Sequence, residues 1–282
     1  NAGSLRSRGW EVSVNWNKRF GEFNFYINAI LSDYTTKVTE WNNPSKTINN
    51  NYSGKEYGAI WGFETDRYFE ESDFVGKNAD GSWIYAKGVA DQTGLEQGTF
   101  VYGPGDIKFK DLNGDGVING GKGTADDHGD LKIIGNTQPR YQYSFHIGGD
   151  WKGFDFDLYF QGVGKREMWT TSAFVMPLMR GADATYAHME SYNQMIFDEN
   201  NKITGYIVDQ SNKYPCFFPG NEGSGTVSGI SSGNHNFYPQ SRYLSDMSYL
   251  RLKNITVGYT LPQMLTRKAY IQRARVYFSA DN

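Results

Sequence analysis

The chain has 282 residues, of which 33 are glycine, well above the share of about 7% in ordinary proteins, and 16% are aromatic. Its 28 basic and 31 acidic residues give a formal net charge of −3, which argues against nucleic acid as a partner. One cysteine and four scattered histidines exclude an internal disulfide and a zinc site of the usual spacing.

Two strands are predicted near the N-terminus from alternating side chains. Residues 10–17 place tryptophan and valine on one face and polar side chains on the other, and residues 23–31 repeat this period of two. The link at 18–22 is short enough to join antiparallel neighbours. The sequence therefore predicts a β-hairpin.

A second group of strands is predicted in the C-terminal half. Residues 141–151 and 154–161 alternate in the same way and are separated only by Lys152 and Gly153. Residues 274–280 form a further alternating segment at the C-terminal end. These segments predict a sheet built mainly from antiparallel neighbours.

Other elements are less regular. Residues 249–261 resemble a strand, but their apolar parity switches after Leu252, which predicts a β-bulge near Lys253 and Asn254. Residues 57–63 are a weaker strand candidate. Short helices are predicted over residues 186–197 and 262–271.

The connections between strands alternate between short and very long. Polar segments rich in Gly and Asn fill residues 32–140 and 163–248, whereas the other links are at most about a dozen residues. Loops beyond about 15 residues are uncommon in compact soluble domains, but outer-membrane barrels combine short periplasmic turns with long extracellular loops. The pattern predicts an all-β fold, an antiparallel transmembrane β-barrel segment with long extracellular loops at 32–140 and 163–248.

Aromatic residues near the predicted strand ends leave two architectures open. Trp10, Trp151, Tyr249 and Tyr259 suit the interfacial girdles of a membrane barrel. The same alternation is typical of a soluble β-sandwich, in which the rings would fill a core between two sheets. The unequal connections favour the barrel.

An acidic loop with the sequence DLNGDGVIN resembles the start of a calcium loop of the EF-hand type. Hard oxygen ligands at alternate positions wrap the ion, and Gly116 at position six permits the sharp turn. Position twelve is Lys122, which cannot bind a cation, so a last carboxylate must come from elsewhere. A turn that binds no metal is the alternative. The candidate ligands in the loop are Asp111, Asn113, Asp115, Val117 through its carbonyl, and Asn119.

Several spaced motifs resemble the SusC/RagA-like TonB-dependent outer-membrane transporters of Bacteroidetes. They stand in the family's order and span nearly the whole chain. The motifs are GDIKFKDLNGDGVIN at 105–119, IGNTQPRYQYSF at 134–145, WKGFDFDLYFQGVG at 151–164 and YLRLKNITVGYTLP at 249–262, with RSRGWEVSVNW and RARVYFSADN near the two ends.

The resemblance implies a barrel of about 22 strands with a plugged lumen in the bacterial outer membrane. Residues 1–282 would be a C-terminal-half part of one such barrel domain, with the plug and the TonB-contacting parts absent from this chain. The family's acidic loop usually continues to an Asp before an Ile-Gly-Asn step. Asp130 holds that position after an insertion and is implied as the missing Ca²⁺ ligand, with Asp126 or Asp127 as substitutes.

The resemblance implies that the protein imports a nutrient in a TonB-dependent manner, acting together with a SusD-like surface lipoprotein. An oligosaccharide is the first expectation for the cargo and a peptide the second. No enzymatic activity is expected, since no nucleophile elbow, phosphate loop or zinc helix occurs in the sequence. The alternative is a soluble, calcium-stabilised β-sandwich that binds glycans.

Aromatic residues of the long loops have two possible roles. They are candidates for stacking on sugar rings or packing against the lipoprotein, and for anchoring the loops to one another, which is the role we favour because long loops need apolar clusters of their own. These residues are Trp169, Tyr186, Tyr192, Phe217, Phe218 and Tyr238.

Overall fold

The computed structural model describes residues 3–79, 81–96, 100–170, 190–200, 202–216 and 236–282. These residues are mostly in β-strands, and no helix among them is long and apolar enough to cross a membrane. The strands are β1 (Ser4–Phe20), β2 (Phe23–Glu40), β3 (Ala59–Phe63), β4 (Thr65–Tyr68), β5 (Phe74–Lys77), β6 (Trp83–Tyr85), β7 (Ile107–Phe109), β8 (Leu131–Asn136), β9 (Arg140–Trp151), β10 (Phe154–Lys165), β11 (Glu167–Met168), β12 (Gln194–Phe197), β13 (Ile203–Ile207), β14 (Ser245–Asp246), β15 (Tyr249–Thr260) and β16 (Arg275–Asp281). The helical segments are α1 (Gln263–Thr266) and the 3-10 turns Glu71–Asp73, Thr93–Leu95 and Arg267–Ala269.

The largest element is one six-stranded antiparallel sheet in the order β1-β2-β9-β10-β15-β16. Short links at 21–22 and 152–153, and the connection at 261–274 that contains α1, lie at one end of the sheet, which we call the turn end. The long connections at 41–139 and 166–248 leave from the opposite end. The sheet is open, with β1 and β16 as its two edges, and the all-β antiparallel fold predicted from the sequence is confirmed.

The strand register aligns apolar side chains on one face of this sheet, which we call the apolar face. Successive side chains of a strand point to alternate faces, and the side chains of residues paired across neighbouring strands point to the same face. One cross-strand row runs Phe23, Trp151, Phe154 and Tyr259, and another runs Trp16, Ile27, Ile147, Leu158 and Ile255.

The predicted bulge in β15 is confirmed. Tyr159 pairs with Asn254 and Phe160 with Leu252, so Lys253 has no partner on β10. The extra residue restores the apolar parity of β15, because Leu252 and Ile255 then point to the same face.

Strand β2 is longer than predicted, since it runs to Glu40 rather than ending near Leu31. Its pairing with β9 stops at Ser32, but its pairing with β1 continues to Glu40. The extension pairs with residues of the first long connection: the Val38 N–H donates to the carbonyl of Lys55 over 2.9 Å. Polar and β-branched residues fill both faces of this extension, so no apolar alternation marked it in the sequence.

The two predicted short helices have different outcomes. Residues 262–271 contain α1 and the 3-10 turn after it, as predicted. The prediction over 186–197 is wrong where the structure describes it, because Gln194–Phe197 is a strand paired with β13. Residues 186–189 lie outside the described residues.

The described parts of residues 41–139 and 166–248 pack around a core of their own, and we call them the loop assembly. Both long connections contribute to this core, as Phe63 and Phe109 come from the first and Tyr192 and Tyr214 from the second. The Phe63 and Phe109 rings stack at 4.8 Å between centroids, and the Tyr192 and Tyr214 rings at 5.0 Å. The core is therefore aromatic rather than aliphatic, as the composition requires.

Candidate functional site

The polar face of the sheet carries an organised hydrogen-bond network. Tyr26 donates its hydroxyl to a carboxylate oxygen of Asp157 over 2.7 Å, and Nδ1 of His146 lies 3.3 Å from the other. The His146 ring stacks on Tyr159 at 4.3 Å between centroids. Gly148 makes room for the Tyr26 ring, because a Cβ there would lie 2.3 Å from it.

Charged pairs continue this network along the same face. The Asn24 amide donates to Asp150 over 3.1 Å, and Nε of Arg275 donates to Asp155 over 3.0 Å. Charged groups are stable only where water or a partner compensates them. The polar face is therefore built to border water.

The apolar face is exposed in the structure. Trp10, Val12 and Phe154 are 46%, 52% and 56% exposed, and no second sheet among the described residues packs over these strands. The soluble β-sandwich considered from the sequence is therefore wrong, because its aromatic side chains would interlock between two facing sheets.

The height of the apolar face suits a bilayer. From Phe23 to Leu31 the strand rises about 26 Å at about 3.3 Å per residue. A barrel strand tilts by about 40°, so this length crosses about 20 Å of hydrocarbon, close to the apolar band of roughly 25 Å in outer-membrane barrels.

A part-buried ion pair fixes the junction between the sheet and the loop assembly. Nε and one terminal nitrogen of Arg140 donate to the two carboxylate oxygens of Asp33 over 2.5 and 2.6 Å. The Tyr141 N–H adds a third bond to the same carboxylate over 3.2 Å. Asp33 follows the last residue of β2 that pairs with β9, so the ion pair holds β2 and β9 together just beyond the end of their pairing.

Inside the loop assembly, a second carboxylate holds a polar network around the 3-10 turn at 71–73. Asp73 accepts two bonds of 2.7 Å from the Arg67 guanidinium and one of 3.0 Å from the Lys108 ammonium. Burial opposes ionisation of Asp73, but its pKa is still lowered because Arg67, the Glu70 N–H and Lys108 stabilise the anion. The network joins β4 to β7 through charge.

Asp106 is another deeply buried carboxyl of the loop assembly, at 1% exposed. Asn236 donates its amide to Asp106 over 2.7 Å and the Gly103 N–H donates over 2.9 Å. Asp106 precedes β7 in the first long connection and Asn236 belongs to the second, so the carboxyl joins the two. Burial raises the pKa of Asp106 to about 7, although both hydrogen bonds oppose the increase.

The acidic loop folds around its own side chains. Asp111 accepts the N–H of Gly114 over 2.6 Å and that of Gly116 over 2.9 Å, and Asp115 accepts the N–H of Val117 over 2.8 Å. Gly116 has a φ of 83°, in the left-handed region that the sharp turn requires. The loop is therefore ordered by Asx-type bonds that orient its side-chain oxygens.

Asp130 lies against this loop, but its carboxylate faces backbone donors. One oxygen accepts the N–H of Leu112 over 2.8 Å and the other that of Asn119 over 2.9 Å. The residue is fully buried and so ties the two ends of the loop together. Asn119 accepts the N–H of Gly121 over 2.7 Å through its amide oxygen.

The oxygen donors offered to a hard cation are therefore Asp111, Asn113, Asp115 and the carbonyl of Val117. Within the described residues, no group of three His, Cys, Asp or Glu side chains converges as metal sites usually do. The loop carries two carboxylates and neutral oxygens, which are ligand types that hard cations take in proteins. Asp126 lies elsewhere in the loop assembly, paired with Lys46 at 3.0 Å, and Asp127 pairs with Lys122 at 3.3 Å.

The loop aromatics that the structure describes pack inward. Tyr192 is 3% exposed within the aromatic core, and Trp169 and Tyr238 pack against that core while partly buried. Anchoring of the loops is thus the role the contacts support for these three residues. Tyr186, Phe217 and Phe218 lie outside the described residues.

A sheet with a bilayer-sized apolar face, a charged opposite face and two folded connections at one end is part of the wall of a membrane β-barrel. The barrel is not closed by these six strands. The comparisons with known proteins agree with this class.

The chain is similar to TonB-dependent receptors of Formosa agariphila, which confirms the resemblance to TonB-dependent receptors seen in the sequence. It is 24% identical to the TonB-dependent receptor P26 over an alignment 287 residues long, which covers 100% of this chain and 25% of the receptor. It is 25% identical to the TonB-dependent receptor P3 over 229 residues, or 81% of this chain and 18% of that receptor. No family model matches the chain.

Solved structures of RagAB share the fold. The structure of the RagAB peptide transporter matches with a TM-score of 0.55 and 16% identity over 99% of this chain and 25% of that one. The RagAB peptide importer in its closed-closed state matches with a TM-score of 0.52 over 99% of this chain and 26% of that one. The chain spans about a quarter of the length of these relatives.

Proposed function

We propose that the chain forms part of the barrel wall of a SusC/RagA-like transporter that imports a nutrient across the bacterial outer membrane, driven by TonB. The observation that carries this proposal is the open six-stranded sheet whose one face is apolar and whose other face bears the Tyr26, His146 and Asp157 network. In a barrel of about 22 strands the apolar face meets lipid and the polar face borders the lumen.

The two long connections are the extracellular part of this wall. Outer-membrane barrels place short turns on the periplasmic side and long loops outside, and the turn end here carries the two tight links. The shared aromatic core and the Asp33 to Arg140 pair fix the loop assembly on the barrel rim. A rigid rim of this kind suits the docking of a SusD-like lipoprotein.

The proposed cargo is an oligomeric nutrient, an oligosaccharide first and a peptide second. RagAB is a peptide importer, which supports the peptide alternative. The proposed role is transport without covalent change of the cargo, in keeping with relatives that are receptors.

Uptake by cells that carry the full-length protein and its lipoprotein tests this proposal. We expect labelled oligosaccharide or peptide to accumulate in the periplasm only while TonB and the proton gradient are intact. Accumulation that survives loss of TonB would contradict energised import. Supplying oligosaccharide and peptide separately distinguishes the two cargo classes.

We also propose that the acidic loop binds one Ca²⁺ ion that braces the loop assembly. Asp111, Asn113, Asp115 and the Val117 carbonyl would hold it, with Asn119 through water. Asp130, the further ligand predicted from the sequence, would brace the loop through its bonds to the N–H groups of Leu112 and Asn119. The ion would neutralise the carboxylates of Asp111 and Asp115 and would have no part in catalysis.

Calcium-dependent stability of the full-length protein tests the ion. We expect Ca²⁺ to raise the melting temperature, since a ligand that binds only the folded state stabilises it. Asp115→Asn should remove most of the rise, whereas the control Asp126→Asn should keep it, because Asp126 is exposed and pairs with Lys46 instead. An equal rise in both variants would place the ion elsewhere.

A further inference from the structure

The apolar face contains a groove at its turn end. Its volume is about 370 Å³, within the range of ligand pockets, and its lining is almost wholly apolar. The residues that form it are Phe23, Gly149, Trp151, Phe154, Phe156 and Val257, with a small contribution from Asp155.

Gly149 creates this groove. It lies in a cross-strand row between Phe25 and Phe156, where every neighbour carries a large side chain. A Cβ at Gly149 would lie 2.6 Å from the Asn24 carbonyl oxygen and 3.1 Å from the Phe23 ring, so no side chain fits there. The backbone of β9 thus forms the floor, and the rings of the next row close the groove toward the turns.

The groove is not a product of the open edges of the sheet. It is formed by β2, β9, β10 and β15, the four inner strands, each of which is paired on both sides. Further barrel strands would pair with β1 or β16 and leave the groove unchanged. Its occupant must therefore come from the medium that surrounds the apolar face.

Two lysines at the turn end lie over aromatic rings of the apolar face. The Lys152 ammonium lies 5.4 Å from the centre of the Trp151 ring. The Lys18 ammonium lies 5.2 Å from the centre of the Phe20 ring. Lys18 pairs with Phe25, which pairs with Gly149, so Lys18 is the β1 residue of the cross-strand row that contains Gly149. An ammonium at the rim of a hydrocarbon face is placed to meet a phosphate at headgroup level.

The surrounding charge favours an anion. Lys18 has no carboxylate within ion-pair distance among the described residues, and Lys152 pairs only with Glu22 at 2.8 Å. Both partners of that pair are more than half exposed, so the pair is weak and open to competition. The neighbouring connection at 261–274 adds Arg267, Lys268 and Arg273 and no acidic residue.

We propose that this groove binds one anionic glycerophospholipid, with an acyl chain along Gly149 and the phosphate between Lys18 and Lys152. The inference rests on the membrane placement given under the proposed function, and the turn end then puts the lipid in the periplasmic leaflet. The site holds a lipid at a fixed place on the wall, against the four inner strands.

Lipid retention by the full-length protein tests this site. Protein purified in mild detergent is incubated with phosphatidylglycerol or with phosphatidylcholine, and the lipid that stays bound is counted by native mass spectrometry. We expect at least about fivefold more retained phosphatidylglycerol than phosphatidylcholine. Val257→Trp, which fills the groove, should lower the retained phosphatidylglycerol about tenfold.

Val12→Trp is the matched control, since it makes the same change on the same face away from the groove and should retain lipid as the unchanged protein does. The double variant Lys18→Gln, Lys152→Gln alters only exposed side chains, and should reduce phosphatidylglycerol to the level of phosphatidylcholine. Equal retention of the two lipids by the unchanged protein, or equal losses in Val257→Trp and Val12→Trp, would overturn the proposal.

Failure of the lipid site can be distinguished from failure of the transport proposal. Import measured in parallel should continue in the unchanged protein even if no lipid is retained, in which case only the lipid site fails. A protein that stays monodisperse without any detergent would instead refute the barrel placement itself.

Discussion

The six-stranded sheet and the loop assembly use aromatic side chains in opposite ways. In the loop assembly, Tyr68, Tyr102 and Phe109 are at most 1% exposed and face a shared core. In the sheet, Trp10 and Phe154 are about half exposed and face away from every other element of the described chain. The same residue types thus stabilise one region by packing on protein and the other by facing a solvent that is itself apolar.

The polar groups follow the same reversal. In the loop assembly, Asp73 and Asp106 are buried and accept hydrogen bonds from nearby donors and from one distant donor each, Lys108 and Asn236. In the sheet, Asp157 and His146 lie on an accessible face. One region of the chain therefore has its apolar side chains in a protein core, and the other has them on an outer face. We expect the two regions to respond differently to mutation.

The largest expected effect is the difference between a Phe→Ala substitution in the loop assembly and one in the sheet. Phe109→Ala should destabilise the loop assembly by about 3–5 kcal/mol, because it leaves a cavity beside Phe63. Phe154→Ala should cost less than about 1 kcal/mol in a bilayer, because lipid chains are as apolar as the ring and fill the space. Hydrogen exchange of the full-length protein in bilayers, read on the peptides that carry β7 and β10, measures both.

Comparable losses of protection in the two variants would break this comparison, because they would show that Phe154 packs on protein. A small effect for Phe109→Ala would show instead that the loop assembly gains little from its aromatic core.

A smaller effect is expected from charge on the two faces of one strand. Leu158→Arg places a cation on the apolar face at mid-height and should cost about 2–4 kcal/mol of folding into a bilayer. Gln161→Arg places the same cation on the polar face of the same strand and should be nearly neutral. Folding of the full-length protein into phospholipid vesicles across a urea series measures the difference. Equal losses of folding free energy in the two variants would show that the assignment of the two faces is wrong.

The sheet could be predicted from the sequence because its signal is local. A period of two over eight or more residues marks β2, β9 and β10, and the parity switch in β15 located the bulge at Lys253. The extension of β2 to Glu40 escaped prediction because polar and β-branched residues fill both of its faces there. The end of β2 is set by its pairing with β1, and no sequence pattern in the extension indicates that pairing.

The loop assembly was far less predictable because its contacts join distant residues. Gln92 illustrates this: its amide donates to the Ile107 carbonyl over 2.9 Å and accepts the Phe109 N–H over 3.0 Å. It acts in place of a second strand partner for β7, which pairs with β4. The acidic loop was located because its hydrogen bonds are local. The roles of Asp106 and Asn236 were missed because 130 residues separate them.

The smallest expected effect is a pH dependence of the anchor formed by Asp106. Its folded-state pKa is raised to about 7 by burial, and the nearby Glu96 carboxylate adds to the increase. A carboxyl with a raised pKa stabilises the folded state most when protonated. Its contribution is therefore complete below about pH 4 and is lost as the pH rises through about 7.

Hydrogen exchange at pH 5.5 and pH 7.5, corrected for the intrinsic rate, measures this effect on the peptides around Ile107 and Asn236. We expect roughly tenfold less protection at the higher pH, or about 1.4 kcal/mol, in the unchanged full-length protein. Asp106→Asn has the same shape and no titrating proton, so its protection should be the same at both pH values. A pH dependence that persists in Asp106→Asn would mean that another group controls the joint between the two long connections.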